Sequence, residues 1–163
     1  MKIKIKKLNK NRWKDYRDLR LEALKKEQIA FGSSYNEEKN ISEEEWKKRI
    51  KNVLFAFSKD KPIGMIVYIR ESKIKTKHTA NIFGVYVTRE YRGQGVGKKL
   101  VDSALARIRK SKGVLKIKLT VNPKQKAALK LYQNYGFKIV GKLKKELYIG
   151  GRFYDELIME KIL

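Results

Sequence analysis

The chain has 163 residues, of which 42% are hydrophobic and 36% are charged, a composition typical of one folded domain rather than of a disordered segment. It contains no cysteine and one histidine, His78, which excludes disulfides, thiolate nucleophiles, cysteine-bound zinc and polyhistidine metal sites. The net charge of +24 comes from 31 lysines and only ten arginines, whereas base reading and stacking favour arginine, so nucleic-acid binding is not expected as the main function.

The first half of the chain combines strand and helix signals. Ile3 and Ile5 alternate with lysines and predict a first strand, and apolar residues at helical spacing predict a helix from Arg12 to about Gln28. Glycine and serines then break the helical period, until a capping-box pattern from Ser42 to Glu45 predicts a second helix. Three strands are predicted next, the first two as an antiparallel pair: Val53–Ser58, Ile63–Arg70 and Thr79–Thr88.

The second half begins with a glycine loop, Arg92–Gly97, which leads into an amphipathic helix. A strand with clear alternation follows at Leu115–Val121, and Asn122-Pro123 ends it, with the proline at the start of a helix that runs to about Tyr135. Two long strands joined by Gly150-Gly151 complete the chain, Phe137–Ile149 and Arg152–Lys161. The order β-α-α-β-β-β-α-β-α-β-β predicts an α/β (α+β) domain with a mixed sheet of about seven strands and about four flanking helices.

The glycine loop is a candidate phosphate site. Its glycines let backbone N–H groups converge, and the helix that follows adds partial positive charge at its N-terminus. It is not a Walker A loop, because Gly97 is followed by two lysines rather than by lysine and then serine or threonine. It also fits a Rossmann fingerprint poorly, since the strands before it are predicted to be antiparallel. Many strand–helix turns carry glycine for steric reasons alone, so the loop by itself leaves its role open.

Two motifs resemble those of a known family. Val85–Leu100 resembles motif A of the GNAT superfamily of N-acetyltransferases, with Arg92, Gly95 and Gly97 at the fixed positions of Arg/Gln-x-x-Gly-x-Gly/Ala. Asn122–Phe137 resembles motif B of the same family, and the predicted order of elements resembles the family fold over the whole chain. The resemblance implies a GNAT-like, mostly antiparallel mixed sheet and a single N-acetyltransferase domain over residues 1–163.

The resemblance implies acetyl-CoA as co-substrate, with no metal. The glycine loop would hold the pyrophosphate through backbone N–H groups, and the strand before it would pair with the pantetheine arm like an added strand. That strand and the one at Leu115–Val121 typically splay apart in the family to admit the cofactor. The residues that the resemblance assigns to cofactor binding are Val85, Tyr86, Val87, Arg92, Gly93, Gln94, Gly95, Val96, Gly97, Lys98 and Asn122.

The resemblance also suggests catalytic roles. Tyr132 would protonate the leaving thiolate as general acid, although it also fits an ordinary buried helix stripe. Asn122 would hydrogen-bond the pantetheine or order a water molecule, or else it serves only to end its strand. A backbone N–H near Val87 would support the oxyanion. Some family members carry a glutamate base where this chain has Asn81, which cannot accept a proton. His78 fits a solvated side chain better than a base, and a water relay or an amine that arrives already neutral is favoured over it, so the base is unassigned.

The acceptor usually enters, in this family, between the connection of the first two helices and the last hairpin. Candidate acceptor-binding residues on these segments and nearby are Phe31, Tyr35, Asn81 and Tyr154. Residues 34–46 carry five glutamates against one lysine, which would attract a cationic amine or would simply favour the start of a helix. Asp155 and Glu156 are further candidates to hold the amine, with exposed strand positions as the alternative.

These patterns favour an enzyme that moves an acetyl group from acetyl-CoA to a primary amine of a small molecule, by direct attack in a ternary complex. The alternatives are a protein N-terminal or lysine acetyltransferase, and a non-catalytic basic module that binds acetyl-CoA or nucleic acid. The N-terminal segment lacks the apolar core of a signal peptide, and no apolar run approaches the ~20 residues that span a bilayer, so we expect a cytoplasmic protein without a membrane partner. A homodimer is compatible with the family resemblance.

Overall fold

A computed structural model describes residues 2–163 and contains one seven-stranded sheet. The strands lie in the spatial order β1-β2-β3-β4-β5-β7-β6, and every neighbouring pair is antiparallel except β4 and β5. The predicted mixed, mostly antiparallel sheet is therefore confirmed. The strands are β1 Ile3–Lys6, β2 Val53–Ser58, β3 Lys61–Arg70, β4 Thr79–Val87, β5 Lys116–Val121, β6 Lys138–Ile149 and β7 Arg152–Ile162.

Within residues 2–163, five helices accompany the sheet, one more than the sequence predicts. The additional helix has only four residues and begins at a full capping box, in which Ser34 Oγ accepts from the Glu37 N–H at 3.2 Å and Glu37 Oε2 accepts from the Ser34 N–H at 2.7 Å. The helices are α1 Trp13–Lys26, α2 Tyr35–Glu38, α3 Glu43–Arg49, α4 Val96–Lys110 and α5 Lys126–Asn134.

The capping box predicted at Ser42 forms only in part. Ser42 Oγ accepts from the Glu45 N–H at 3.2 Å, as predicted. The Glu45 carboxylate instead accepts from Arg49 Nε at 2.8 Å, one turn farther along α3. The second half of the prediction is wrong because an arginine at i+4 competes for the same carboxylate.

Contrary to the prediction, no helix begins at Pro123. Asn122 Oδ1 accepts from the Lys124 N–H at 2.9 Å and the Asn122 carbonyl accepts from the Gln125 N–H at 2.9 Å, which forms a turn before α5 begins at Lys126. The side chain of Asn122 thus stabilises a local alternative to the helix.

The hydrophobic core has two parts, one on each face of the sheet. On β2, Leu54 and Ala56 pack towards α4 and α5, whereas Phe55 and Phe57 pack towards α1, α2 and α3. All four are fully buried, as expected for a strand covered on both faces. Burial of each large side chain contributes about 1.5–3 kcal/mol.

Two irregularities of β4 shape the region beyond its midpoint. It pairs with β5 only from Thr79 to Asn81, and beyond Asn81 the two strands separate, as the family resemblance implies. On its other side β4 carries a bulge against β3. Phe83 and Tyr86 are three residues apart on β4, but their partners on β3, Val67 and Met65, are only two residues apart. Gly84 lies in this bulge with φ of +53°, a conformation that favours glycine.

Candidate active site

A cleft of about 790 Å³ opens where β4 and β5 separate. We call it the loop cleft, because the glycine loop and the first turn of α4 form one wall and the first turns of α5 form another. Nine of the eleven residues predicted to bind the cofactor line it, all except Gln94 and Asn122. The other lining residues are Glu27, Ile29, Ala30, Tyr91, Lys124, Gln125, Lys126, Ala127, Ala128 and Leu131.

The glycine loop has a backbone that only glycine adopts readily. Gly93 and Gly95 have φ of +72° and +77°, and no atom lies within 4 Å of a Cβ built on either residue. Conformation, not lack of space, therefore requires glycine at both positions. Gly95 precedes the 15-residue helix α4 without a side-chain cap, so the N–H groups of the first turn remain available to an anion.

Arg92 fixes the glycine loop to its surroundings. Its Nε donates to the Val87 carbonyl at 2.8 Å, and its Nη2 forms an ion pair with Glu27 at 2.8 Å. These contacts join the loop to the end of β4 and to the residue that follows α1. The guanidinium therefore positions the N–H groups of the loop and is itself already paired.

Two other predicted cofactor residues turn their side chains away from the loop cleft. The Tyr86 hydroxyl donates to Glu22 at 2.8 Å and its ring is buried in the core, so only its backbone is available to the cleft. Gln94 does not line the cleft, and its Nε2 donates to the Glu90 carbonyl at 3.0 Å.

Tyr132 lies on α5 behind the wall of the loop cleft. Its side chain is only 6% exposed and packs edge-on against Phe137, with ring centroids 6.0 Å apart. Leu131 and Ala128 of the same helix line the cleft. Burial raises the pKa of the Tyr132 phenol, so the hydroxyl keeps its proton at neutral pH.

Asn122 is buried at the base of the turn before α5 and holds an unused donor. Its residue exposure is 2%, and its Oδ1 is engaged by the Lys124 N–H. Within residues 2–163, its Nδ2 has no hydrogen-bond partner. A buried amide donor without a partner costs about 1–3 kcal/mol, so this group is suited to a bound water or ligand atom.

A second cavity, of about 470 Å³, meets the loop cleft at the β4 bulge. We call it the bulge cavity. Phe83 and Gly84 line this cavity, Val85 lines the loop cleft, and Ala30 lines both. Its other lining residues are Tyr16, Arg20, Phe31, Gly32, Ser33, Glu38, Arg49, Asn52, Val67, Ile69, Ile82, Thr120 and Glu156.

An ion network occupies one wall of the bulge cavity. Glu38 accepts from Arg20 Nε and Nη2 at 2.9 and 2.8 Å, and its carboxylate lies 3.5 Å from Arg49, which also pairs with Glu45. Burial raises the pKa of Glu38, but the hydrogen bonds and charge of Arg20, together with Ser33 and Arg49, outweigh burial and hold that pKa below its ordinary value. The remaining Nη1 of Arg20 lies at the bulge, 3.1 Å from a Cβ built on Gly84.

Glu156 lies on another wall of the bulge cavity, on β7 beside Thr120 of β5. Burial raises the pKa of its carboxyl, and the nearby charge of Glu146 adds to that shift, while the neighbouring Thr120 side chain opposes it. The carboxyl therefore holds a proton more readily than an exposed glutamate does.

The predicted acceptor residues are only partly brought together. Phe31 lines the bulge cavity, and Tyr35 lines an adjoining cavity between the α1–α2 connection and the β6–β7 turn. Asn81 Nδ2 donates to Glu71 at 2.8 Å, and the Tyr154 ring lies 5.0 Å from Lys124 Nζ. His78 is exposed before β4 and lines none of these cavities.

The glutamates of residues 34–46 are mostly engaged within their own helices. Glu37 caps α2, Glu43 pairs with Lys47, and Glu45 pairs with Arg49. These contacts favour helix formation as the role of this acidic segment.

Sequence patterns did not identify the β4 bulge or the arginines of the bulge cavity. A glycine inside a strand, as at Gly84, was the available signal for the bulge. Arg20 gave no signal, because its pairing with Glu38 spans 18 residues. In residues 2–163 no group of three or more histidine, aspartate or glutamate side chains is arranged to hold a metal ion. The same residues contain no helix with the length and hydropathy that a membrane span needs.

Comparison with known proteins agrees with this geometry. A family model described as the acetyltransferase (GNAT) family matches residues 13–137. L-2,4-diaminobutyric acid acetyltransferase of Streptomyces avermitilis is 31% identical over 96 residues, which are 58% of this chain and 52% of that protein. The chain thus spans about half the length of this curated relative.

Solved structures share the fold over nearly the whole chain. An acetyltransferase of the GNAT family from Streptococcus pneumoniae superposes with a TM-score of 0.88 at 22% identity, covering 99% of this chain and 100% of that chain. A GNAT superfamily phosphinothricin acetyltransferase from Sinorhizobium meliloti, in complex with acetyl-CoA, superposes with a TM-score of 0.80 at 17% identity, covering 100% and 89%. At these identities the likeness is one of fold.

Proposed function

Because the chain belongs to the acetyltransferase (GNAT) family, we propose that residues 1–163 form a single N-acetyltransferase domain that uses acetyl-CoA. The enzyme transfers the acetyl group to the primary amine of a small molecule, by direct attack in a ternary complex. The observation that carries this proposal is the meeting of two cavities at one strand. The loop cleft suits the cofactor and the bulge cavity suits the acceptor, and both border the β4 bulge.

The loop cleft offers groups suited to each part of acetyl-CoA. The N–H groups of the glycine loop and of the first turn of α4 bind the pyrophosphate. Backbone groups of Val85–Val87, where β4 has no partner in β5, pair with the pantetheine arm. The unused Asn122 Nδ2 hydrogen-bonds that arm or a water beside it. Nearby ammonium groups complement the phosphates, namely those of Lys98, Lys124 and Lys126.

The thioester of the co-substrate supplies an activated acetyl group. The neutral amine nitrogen attacks the carbonyl carbon, a C–N bond forms, and the C–S bond breaks with its electron pair passing to sulfur. Tyr132 gives its phenolic proton to the sulfur and regains one from the nitrogen, so the products are an amide and a free thiol. A backbone N–H between the bulge and Val87 stabilises the negative charge that develops on the carbonyl oxygen.

The bulge cavity favours a small acceptor. Its volume of about 470 Å³ lies within the range of about 300–1,000 Å³ that is usual for small-molecule sites. Its walls come from α1, the α1–α2 connection, α2, α3 and the sheet. The relative from Streptomyces avermitilis is named for an amino acid with two amines, which supports an amino-acid-like acceptor for this chain.

A thiol-release assay tests this function. Purified protein and acetyl-CoA are mixed with a panel of small amines, diamino acids and amino-terminal or lysine-containing peptides, and free coenzyme A is measured over time. We expect release with at least one small amine and little with the peptides. Turnover with peptides only would shift the acceptor to a protein. Calorimetry with coenzyme A is run alongside, and the absence of both heat and turnover would contradict an acetyl-CoA-dependent enzyme.

A further inference from the structure

We propose that Glu156 is the catalytic base that takes the proton from the acceptor ammonium group in the bulge cavity. This inference rests on the proposed function and completes it, because an amine is protonated at neutral pH and attacks a thioester only as the neutral form. The family resemblance left the base open, since Asn81 holds the position of the glutamate found in some members.

The first argument is position. Glu156 and Thr120 lie on neighbouring strands, since Thr120 pairs with Ile158, two residues from Glu156. Leu119, Val121 and Leu157 point into the core on the α4–α5 face, so Thr120 and Glu156 point to the opposite face. There both line the cavity that also contains Gly84 of the bulge, where the loop cleft begins.

The second argument is charge. The other charged groups that line the bulge cavity are paired with one another or with Glu45: Arg20, Glu38 and Arg49. Among the described residues, Glu156 is the charged lining group without an ion pair. It is therefore the group left to attract a cationic acceptor on a chain whose net charge of +24 repels one.

The third argument is that nearby alternatives are occupied or distant. Asp155 accepts from the Lys145 N–H at 2.8 Å and pairs with Lys142 at 3.2 Å, so its carboxylate is already satisfied and does not line the cavity. Glu156, in contrast, has no ion pair among the described residues, and it lines the bulge cavity. Its partly buried carboxyl has a raised pKa, which brings the base closer to neutral pH.

The proton balance is simple. The ammonium group gives one proton to the Glu156 carboxylate and becomes a neutral amine, which then attacks the thioester as described above. After the product leaves, the Glu156 carboxyl releases that proton to water. The complete reaction thus converts an ammonium group and a thioester into an amide, a thiol and one free proton.

The first experiment compares Glu156→Gln with the matched control Asp155→Asn, using the most active amine of the panel. At neutral pH we expect Glu156→Gln to lower kcat/KM by ~10²-fold or more, while coenzyme A binding by calorimetry is unchanged. The difference in kcat/KM between Glu156→Gln and the wild type should shrink as pH rises, because the amine then loses its proton to water. Asp155→Asn should stay within about twofold of the wild type. Equal activity of Glu156→Gln and the wild type at neutral pH would overturn the assignment.

The second experiment adds an NMR readout that does not depend on turnover. Thr120→Val removes the hydroxyl that lowers the pKa of Glu156, so the pKa should rise. The Glu156 carboxyl is titrated by carbon-13 NMR in the wild type and in Thr120→Val, and the acid limb of kcat/KM is measured in both. The groups that face this carboxyl are Glu146 on β6, Thr120 on β5, and Tyr16, Arg20, Glu38 and Arg49 across the cavity. We expect the NMR midpoint and the kinetic limb to move upward together.

The two experiments separate this inference from the proposed function. A wild type that releases no thiol with any acceptor contradicts the proposed function, and an ordinary or low NMR midpoint for Glu156 contradicts the base independently. An active wild type whose acid limb stays fixed while the midpoint moves overturns the base but leaves the acetyltransferase intact.

Discussion

Tyr132 combines a buried ring with a hydroxyl that keeps its proton at neutral pH, which is the state that a general acid needs. Tyr132→Phe retains the ring and its packing against Phe137 and removes only the hydroxyl. We expect kcat to fall by ~10²-fold with little change in coenzyme A affinity. Steady-state kinetics and calorimetry measure the two quantities.

The matched control is Tyr68→Phe, which removes a phenol from β3 on the rim of the core, outside both cavities. Its kcat should equal that of the wild type. If Tyr132→Phe had a normal kcat, the role of Tyr132 would be only to pack the buried face of α5.

Glu38 carries a structural prediction, because it pairs with Arg20 while both side chains are largely buried, at 6% and 13% exposure. Glu38→Gln leaves the Arg20 guanidinium without its compensating charge. We expect the free energy of unfolding at pH 7 to fall by about 3–5 kcal/mol in urea denaturation. Glu43→Gln, which removes an exposed pair with Lys47 on α3, should leave the urea midpoint almost unchanged.

The pH dependence of the Glu38 pair has a defined sign. The pKa of Glu38 is lower in the folded protein than in the unfolded chain, so the pair stabilises the fold above the unfolded-state pKa of about 4.3. That stability is lost as pH falls through the folded-state pKa. The difference between wild type and Glu38→Gln should therefore narrow in acid, and a constant difference would contradict the pairing.

At the scale of secondary-structure elements, sequence patterns predict the features that depend on residues close together in the chain. The alternation of Leu119 and Val121 with polar residues is enough to define β5, and Gly150 and Gly151, with φ of +56° and +78°, form the predicted tight turn. The conformation of the glycine loop was also predictable, because the positive φ of Gly93 and Gly95 favours glycine at both positions. Local sequence therefore predicts the backbone of this loop well.

The bulge cavity is less predictable because residues that are distant in the chain build it. Arg20 meets Glu38 across 18 residues, and Thr120 meets Glu156 only once β5 and β7 are paired. Errors also arose where two local partners compete, as when Arg49 rather than the Ser42 N–H engages Glu45. Sequence patterns rank such competitors poorly because each local pair contributes only about 0.2–0.5 kcal/mol.

The glycine loop and α4 allow a test in which backbone strain is matched. Gly95 and Gly113 lie at opposite ends of α4 with φ of +77° and +81°, and no atom lies within 3.4 Å of a Cβ built on either. Alanine at either position costs roughly the same backbone strain, about 1 kcal/mol. Only Gly95→Ala disturbs the N–H groups that we assign to the pyrophosphate.

We therefore expect both variants to unfold at similarly reduced temperatures, while Gly95→Ala alone weakens coenzyme A binding, by roughly tenfold or more. Thermal denaturation and calorimetry are the two measurements. Equal coenzyme A affinity in the two variants would show that the loop N–H groups do not bind the phosphates.

Over the whole molecule, the charge of +24 acts in opposite directions on the two substrates. Coenzyme A is a polyanion, so the protein's field favours its approach to the lysines of the loop cleft. Under the proposed function, we expect a cationic amine to be repelled by the same field and attracted locally by Glu156, which lines the bulge cavity. The lysine-rich surface would then influence catalysis without any sequence-specific nucleic-acid contact.

Salt should separate these two effects. The Debye length falls from about 10 Å at 0.1 M ionic strength to about 3 Å at 1 M, so added salt screens long-range attraction and repulsion alike. Between low and high sodium chloride we expect the Kd for coenzyme A to rise by roughly tenfold, while the KM for a cationic amine stays level or falls. 3′-Dephospho-coenzyme A, which lacks one phosphate, should show a shallower rise. If the Kd for coenzyme A and the KM for the amine changed in the same way with salt, the net charge would have no part in selecting either substrate.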